Sequence, residues 1–364
     1  MTDPILAIGL MSGTSRDGVD AALLRSDGEG VIEAGAWLTE PYDDAFRARL
    51  AGVIGGRGVV AAVERELTLR HAAAVRRLLA AAGLAPNSIG LVGFHGHTIQ
   101  HEPQAGRTWQ IGDGGLLAVE TGIDVVADFR SADVAAGGEG APLVPLFHAG
   151  LARDLPRPVA VLNVGGVANV TWIGPAGATG EPPALLAFDT GPGNALSDDW
   201  ALRHTGRPID EGGALARAGA VDERALAALL DNGYFARPAP KSLDRDAFAI
   251  DPVGHLAPAD GAATLLAFTA AAVARGAALF PMPAARWLVT GGGRHNPALM
   301  QALAERLAAP VTPVETVGWQ GDALEAQAFA YLGVRSRRGL PLSLPGTTGV
   351  ARPTTGGRWF PRPR

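Results

Sequence analysis

Ile8-Gly9-Leu10-Met11-Ser12-Gly13-Thr14-Ser15-Arg16-Asp17-Gly18-Val19-Asp20 is the stretch from which the rest of the chain is read. Apolar residues lead into it (Ile5, Leu6, Ile8, Leu10) and out of it (Val19, Ala21, Leu23), while its middle is small, hydroxylated and glycine-rich. The pattern predicts a strand, a tight turn and a returning strand. Glycines let the backbone approach an anion, and Ser12, Thr14 and Ser15 offer hydroxyls. Successive N–H groups in such a turn form an anion-holding concavity. The same residues also suit an ordinary hairpin turn.

The pattern recurs further along. Residues 159–162 read as a strand, 163–169 as a turn containing Gly165 and Gly166, and 170–173 as a returning strand. Internal duplication of a hairpin explains this, and so does chance in a chain with 49 glycines. A third turn, Gly291-Gly292-Gly293, follows a strand at 287–289 and precedes a helix marked by Asn296 as its cap and Pro297 at its first position. Three such turns, two of them in hairpins of separate halves, favour a nucleotide held between two lobes. A backbone free of side chains suits a flat nucleoside, although 291–293 also reads as a plain strand-to-helix connection.

Between these landmarks strands alternate with helices, which argues for α/β architecture. Residues 59–82 predict a helix with Val60, Val63, Leu67 and Leu78 on one face and Gly83 as its stop. A short strand at 89–94 delivers His95-Gly96-His97-Thr98-Ile99-Gln100-His101 to a loop, and a strand at 123–129 ends in Arg130. Residues 131–145, rich in Gly, Ala and Pro, read as a hinge or a first domain boundary. A strand at 185–188 ends in Asp189-Thr190-Gly191-Pro192-Gly193-Asn194. Residues 262–279 predict an alanine-rich helix, Asp322-Ala323-Leu324-Glu325 opens the last helix with capping-box spacing, and the chain from Arg335 onward reads as a loop-like tail.

Composition narrows the chemistry. A 47% hydrophobic chain of 364 residues can build two cores, and a net charge of -5 provides no electrostatic case for nucleic acid or an anionic membrane. Cysteine is absent, so disulfides, thiolate catalysis and cysteine-ligated zinc are excluded. Lys241 is the only lysine, and the pattern GxxxxGK[ST] is missing, which removes the P-loop class. The start lacks the basic region of a signal peptide, and the longest apolar run is too short to span a bilayer. A soluble, cytoplasmic protein is expected.

Several side chains are candidates for chemistry. Asp189 stands at a strand end, where α/β sheets face their ligand crevice, and a carboxylate there can take a proton from a nucleophile. Asp-Thr-Gly is equally good turn chemistry. His95, His97 and His101, with Glu102, suggest a metal set, but sugar hydrogen bonding or plain loop structure suits them better. Arg130 can clamp a carboxylate or phosphate, or pair with Asp128 or Asp133. Glu325 either touches substrate or satisfies its helix end. Lys241 either meets a phosphate or is solvated, and the C-terminal arginines read as a solvated tail.

In order along the chain, MSGTSRDGVD (11–20), FHGHTIQHEP (94–103), QIGDG (110–114), DVVADFRSADVAAGGEGAPLVP (124–145), LNVGGVANVT (162–171), FDTGPGN (188–194), PKSLDRDAF (240–248), TGGGRHNPAL (290–299) and LPGTTGV (344–350) together resemble the anhydro-N-acetylmuramic acid kinases. The likeness spans nearly the whole chain. It departs at Ala239, where a second proline is expected, and at His97, where glutamine is common. The resemblance implies two related actin-like (RNase H-like) lobes, each a mixed central sheet flanked by helices, around a nucleotide cleft. Lobe I would be 1–132, completed by the C-terminal tail, lobe II 133–345, and the tail 346–364.

The implied reaction takes 1,6-anhydro-N-acetylmuramic acid, ATP and water to N-acetylmuramic acid 6-phosphate and ADP, a step of cell-wall recycling. The resemblance makes Gly13, Thr14, Ser15, Arg16, Asp17, Gly18, Val19 and Asp20 the ATP phosphate loop. It puts Gly165 and Gly166 in a second phosphate hairpin and Gly291, Gly292 and Gly293 in the nucleoside segment. Asp189 becomes the general base, and His95, Arg130 and Glu325 the sugar contacts. Mg²⁺ is implied with ATP, held through water near Asp17 and Asp20, and so is a homodimer. Two other classes fit parts of the pattern: an actin-fold kinase that phosphorylates a sugar without opening a ring, and a non-enzymatic ATP-dependent switch.

Overall fold

A computed structural model describes residues 3–13, 15–175, 182–245 and 247–363. The chain packs as two compact units, Met1–Arg153 with Asp322–Arg364, and Asp154–Gly321.

The first unit is built on β1 (Ile5–Met11), β2 (Gly18–Ser26), β3 (Ile32–Pro41) and β4 (Leu91–Phe94), with a separate hairpin of β5 (His97–Glu102) and β6 (Arg107–Ile111), and then β7 (Val125–Ala127). β1 pairs antiparallel with β2 and β2 with β3, while β4 lies parallel to β1 and β7 parallel to β4. The second unit contains β8 (Val159–Val164), β9 (Val167–Ile173), β10 (Leu185–Pro192), β11 (Arg286–Thr290) and β12 (Val311–Pro313). β8 pairs antiparallel with β9 and β9 with β10, while β11 lies parallel to β8 and β12 parallel to β11. Both sheets therefore have the order third-second-first-fourth-fifth with the same directions. Chance repetition of a glycine-rich turn does not reproduce a five-strand topology, so the recurring hairpin marks two related mixed sheets. This is the actin-like architecture expected above.

Helices cover the sheets. In the first unit the apolar face of Val60–Ala82, including Val63, Leu67, Val75 and Leu78, joins Ile8, Leu10 and Phe94 in one core. The helix Leu324–Arg337 packs on β1 and β4. It lies so close that a methyl group on Gly93 would stand 2.0 Å from the Phe329 carbonyl oxygen. In the second unit Pro258–Ala277 and Pro297–Arg306 close a core of Phe188, Val273, Trp287, Val289 and Leu303. Pro258 starts the former helix four residues before the predicted point, since proline suits a first helical turn.

Three readings change. Residues 131–145 lie within the first unit, and the ends of the units fall at 153/154 and 321/322. There Asp133 accepts hydrogen bonds from the Gly140 N–H (2.7 Å) and the Thr348 hydroxyl (2.6 Å), tying this stretch to the C-terminal segment. The His97–His101 loop is instead a strand, because β6 supplies its pairing partner. The tail is also structured: β13 (Arg358–Phe360) adds antiparallel to β7, and Arg335, 9% exposed, donates to the Pro341 and Gly28 carbonyls. Among the described residues no helix is long and apolar enough to cross a membrane.

Candidate active site

In the first unit the opening turn carries its own scaffold. The Arg16 N–H donates to the Gly13 carbonyl (3.0 Å), and the Ser15 hydroxyl donates to Asp17 Oδ1 (2.8 Å). Arg16 has a φ of 57°, a left-handed conformation uncommon for a residue with a side chain. Thr14 lies outside the described residues. Below the turn the Tyr42 hydroxyl donates to Ser12 Oγ (2.9 Å), which shares a 3.1 Å hydrogen bond with His97 Nδ1. Burial, with His71 and Arg16 adding, pushes His97 down to about 4. His97 is thus a neutral partner that anchors the base of the turn.

His95, Arg130 and Glu325 come together beside it. Arg130 donates to His95 Nε2 through Nη2 (3.0 Å) and Nε (3.2 Å), and to the Gly140 carbonyl through Nη1 (2.6 Å). His95 Nε2 is therefore an acceptor, and its proton sits on Nδ1, 2.9 Å from the Gly96 carbonyl. Burial, and then the Arg130 charge, hold His95 well below the ordinary imidazole range. The guanidinium meets histidine and backbone here.

Glu325 lies in the first turn of Leu324–Arg337, which starts two residues after Asp322. Ala323 occupies the cap position, so Glu325 is not the fourth member of a capping box. Burial raises the Glu325 pKa, with Arg130 opposing and Asp17 adding. Burial also pushes Asp20 up to about 7. The Thr39 hydroxyl, donating at 2.5 Å, works against that rise, and Asp17, Glu325 and Asp322 add to it. The first unit thus gathers carboxylates beside the turn at an electrostatic cost. Among the described residues no three His, Cys, Asp or Glu side chains are placed to hold a metal ion by themselves.

The second unit holds Gly165, Gly166, Asp189 and Gly291–Gly293. The Gly193 and Ala195 N–H groups donate to the Gly166 carbonyl (2.9 and 3.2 Å), and the Asn194 N–H to the Gly165 carbonyl (2.7 Å). The second hairpin turn is thereby docked on the 193–195 loop. Gly291 has a φ of 75°, and a methyl group there would lie 2.3 Å from Asn163 Oδ1, so only glycine closes this turn against β8.

Asp189 lies within β10, not after it. The strand runs on to Pro192, and its register shifts between Asp189 and Gly191. Such a bulge re-aims side chains beside functional sites. Asp189 is 7% exposed, and its Oδ2 accepts the Leu243 N–H at 2.7 Å. Its own N–H donates to the Lys241 carbonyl (2.9 Å), and its carbonyl accepts the Tyr234 hydroxyl (2.5 Å). Of the two readings of Lys241, the solvated one does not hold: the side chain is buried, 3% exposed. Leu243 and Tyr234 escaped the sequence reading, since a backbone N–H has no side-chain signature and Tyr234 lies in a segment without periodicity. The motif PKSLDRDAF contains Leu243 but not Tyr234.

The family model described as anhydro-N-acetylmuramic acid kinase matches residues 5–362. Proteins of that name from Paramagnetospirillum magneticum and Rhodospirillum rubrum are 60% and 58% identical, over 97% and 98% of this chain and 99% and 94% of theirs. One from Acidiphilium cryptum is 56% identical over 97% of both chains. With near-complete coverage and more than half of all positions shared, the chain belongs to the anhydro-N-acetylmuramic acid kinase family, phosphotransferases that act on an alcohol group.

Proposed function

We propose that the protein opens the 1,6-anhydro ring of 1,6-anhydro-N-acetylmuramic acid with water and transfers the γ-phosphoryl group of ATP to O6. The products are N-acetylmuramic acid 6-phosphate and ADP, and the setting is the cytoplasm. The observation that carries this beyond family membership is a buried carboxylate, Asp189, aimed by a strand bulge and held by a backbone N–H. Ring opening by water needs a base for the water and a fate for the leaving oxygen. Asp189 takes the proton as the water oxygen bonds to C1. The C1–O6 bond breaks, and O6 takes the phosphoryl group, so no separate acid is required. The proton then passes from Asp189 to solvent.

In this reading residues 13–20, with Gly165 and Gly166, hold the phosphates, where positioning and electrostatics dominate the transfer. Gly291–Gly293 take the nucleoside, and His95, Arg130 and Glu325 take the sugar. Oxygen donors and an underneutralised Asp20 suit a hard cation. Among the described residues no three-residue cage is found, an arrangement that suits Mg²⁺, which keeps its waters and shares substrate phosphates. Asp17 and Asp20 would hold it through water, and it would neutralise phosphate charge. A homodimer is the assembly in keeping with the family resemblance, to be read by sedimentation. ADP release with and without the anhydro sugar tests the activity. Turnover in ¹⁸O-water is expected to place label at C1, and label absent from the sugar overturns the ring-opening step.

A further inference from the structure

We propose that Lys241 and Tyr234 are positioning residues that latch Asp189 in the orientation its carboxylate needs. The inference rests on the reading of Asp189 as general base. Among the described residues β10 is an edge strand of its sheet, with no neighbouring strand on one side to supply hydrogen bonds. At Asp189 that role passes to two residues that also hold each other. The Asp189 N–H donates to the Lys241 carbonyl (2.9 Å), and the Asp189 carbonyl accepts the Tyr234 hydroxyl (2.5 Å). Lys241 Nζ donates to the Tyr234 carbonyl (3.0 Å) and stands 4.4 Å from the centre of the Tyr234 ring. The circuit is closed. Two residues past Lys241, the Leu243 N–H meets the carboxylate itself at 2.7 Å. The direction of the carboxylate therefore depends on where 241–243 lies relative to 189, which is what the latch sets.

The residue type supports this. Lys241 is the only lysine of the chain, and every other lysine-or-arginine position is arginine. A compact ammonium fits over one ring face while donating to a carbonyl, whereas a guanidinium presents a wider planar fork. Burying an amine is costly unless it is partnered, and a carbonyl with an aromatic face supplies the partners. Burial, with Arg237 adding, pushes Lys241 down to about 8, in keeping with a closely enclosed amine.

The test compares Tyr234→Phe, which removes one hydroxyl, with Lys241→Met and Lys241→Cys. The chain has no cysteine of its own, so 2-bromoethylamine, applied in denaturant before refolding, converts position 241 alone into a thioether analogue of lysine. We expect kcat to fall about 10- to 100-fold in Tyr234→Phe and Lys241→Met, with KM for ATP and the anhydro sugar within about twofold. Aminoethylation of Lys241→Cys is expected to restore most of the lost kcat. An unchanged kcat in Tyr234→Phe overturns the latch, as does a loss in which KM rises in step and aminoethylation restores nothing. If Lys241→Met does not fold, Tyr234→Phe decides. Asp189→Asn runs alongside. Turnover there removes the base reading and this inference together. An inactive Asp189→Asn beside fully active Tyr234→Phe and Lys241→Met removes the latch alone.

Discussion

Gly9 and Ala326 touch backbone to backbone: a methyl group on Gly9 would lie 1.7 Å from the Ala326 carbonyl oxygen. Ala326 follows Glu325, so this contact seats the start of Leu324–Arg337, and Glu325 with it, against β1. Gly9→Ala must push the helix off the sheet. Overpacking of this kind costs about 3 kcal/mol. The denaturant midpoint is expected to fall accordingly, and kcat/KM for the sugar to fall with it because Glu325 moves. An unaltered midpoint would refute the contact.

Asp189→Asn keeps the shape of the side chain and its acceptor oxygen for the Leu243 N–H, but cannot take a proton. We expect binding of ATP and sugar to persist while turnover falls by about 10² to 10⁴. Calorimetric binding and a coupled ADP assay on the same preparation check both halves.

Asp20→Asn is expected to make the unliganded protein more stable and less active. The folded-state pKa of Asp20 is raised from 3.8 to about 7 by burial and by Asp17, Glu325 and Asp322, with Thr39 opposing. Its stabilising contribution is therefore present below pH 3.8 and lost as pH rises through about 7. The advantage of asparagine should grow between those two values and level off above, on the order of 2 kcal/mol after solvent screening. Urea unfolding at a series of pH values reads this directly. A pH-independent difference would contradict the assignment.

Removing residues 358–363 should destabilise the first unit. β13 supplies the partner of β7, and Phe360 fills the space over Gly114, where a methyl group would meet its ring at 2.6 Å. Arg337 also stacks 4.4 Å from the centre of the Trp359 ring. Loss of about 2 kcal/mol is expected, together with faster hydrogen exchange in β7 but not in β8. Equal exchange in the truncated and full chains would argue against the strand.

Ser12→Ala cuts the Tyr42–Ser12–His97 string under the opening turn. It leaves a buried hydroxyl and a buried imidazole nitrogen short of a partner, at about 2 kcal/mol. If the turn holds ATP phosphates, KM for ATP rises while KM for the sugar stays within about twofold. The reverse pattern would place the turn at the sugar.

Both hairpins, the stop at Gly83, the Asn296 cap and the exclusion of P-loop and cysteine chemistry were legible in the residues, because turns, caps and periodicity are local. The series of motifs carried the family for the same reason. What no local pattern contains is the partner across space. His97–Glu102 became a strand only because β6 pairs with it, and 358–360 only because β7 offers an edge. Glu325 looked like a helix cap until the helix began at Leu324. Asp189 was visible as a candidate carboxylate, but its bulge, the Leu243 N–H and the Lys241–Tyr234 pair depend on segments brought together by the register of an edge strand. Sequence determined which groups this protein carries and which strands and turns it makes. Tertiary packing alone decided which way those groups point, because hydrogen-bond direction and burial belong to contacts between distant residues.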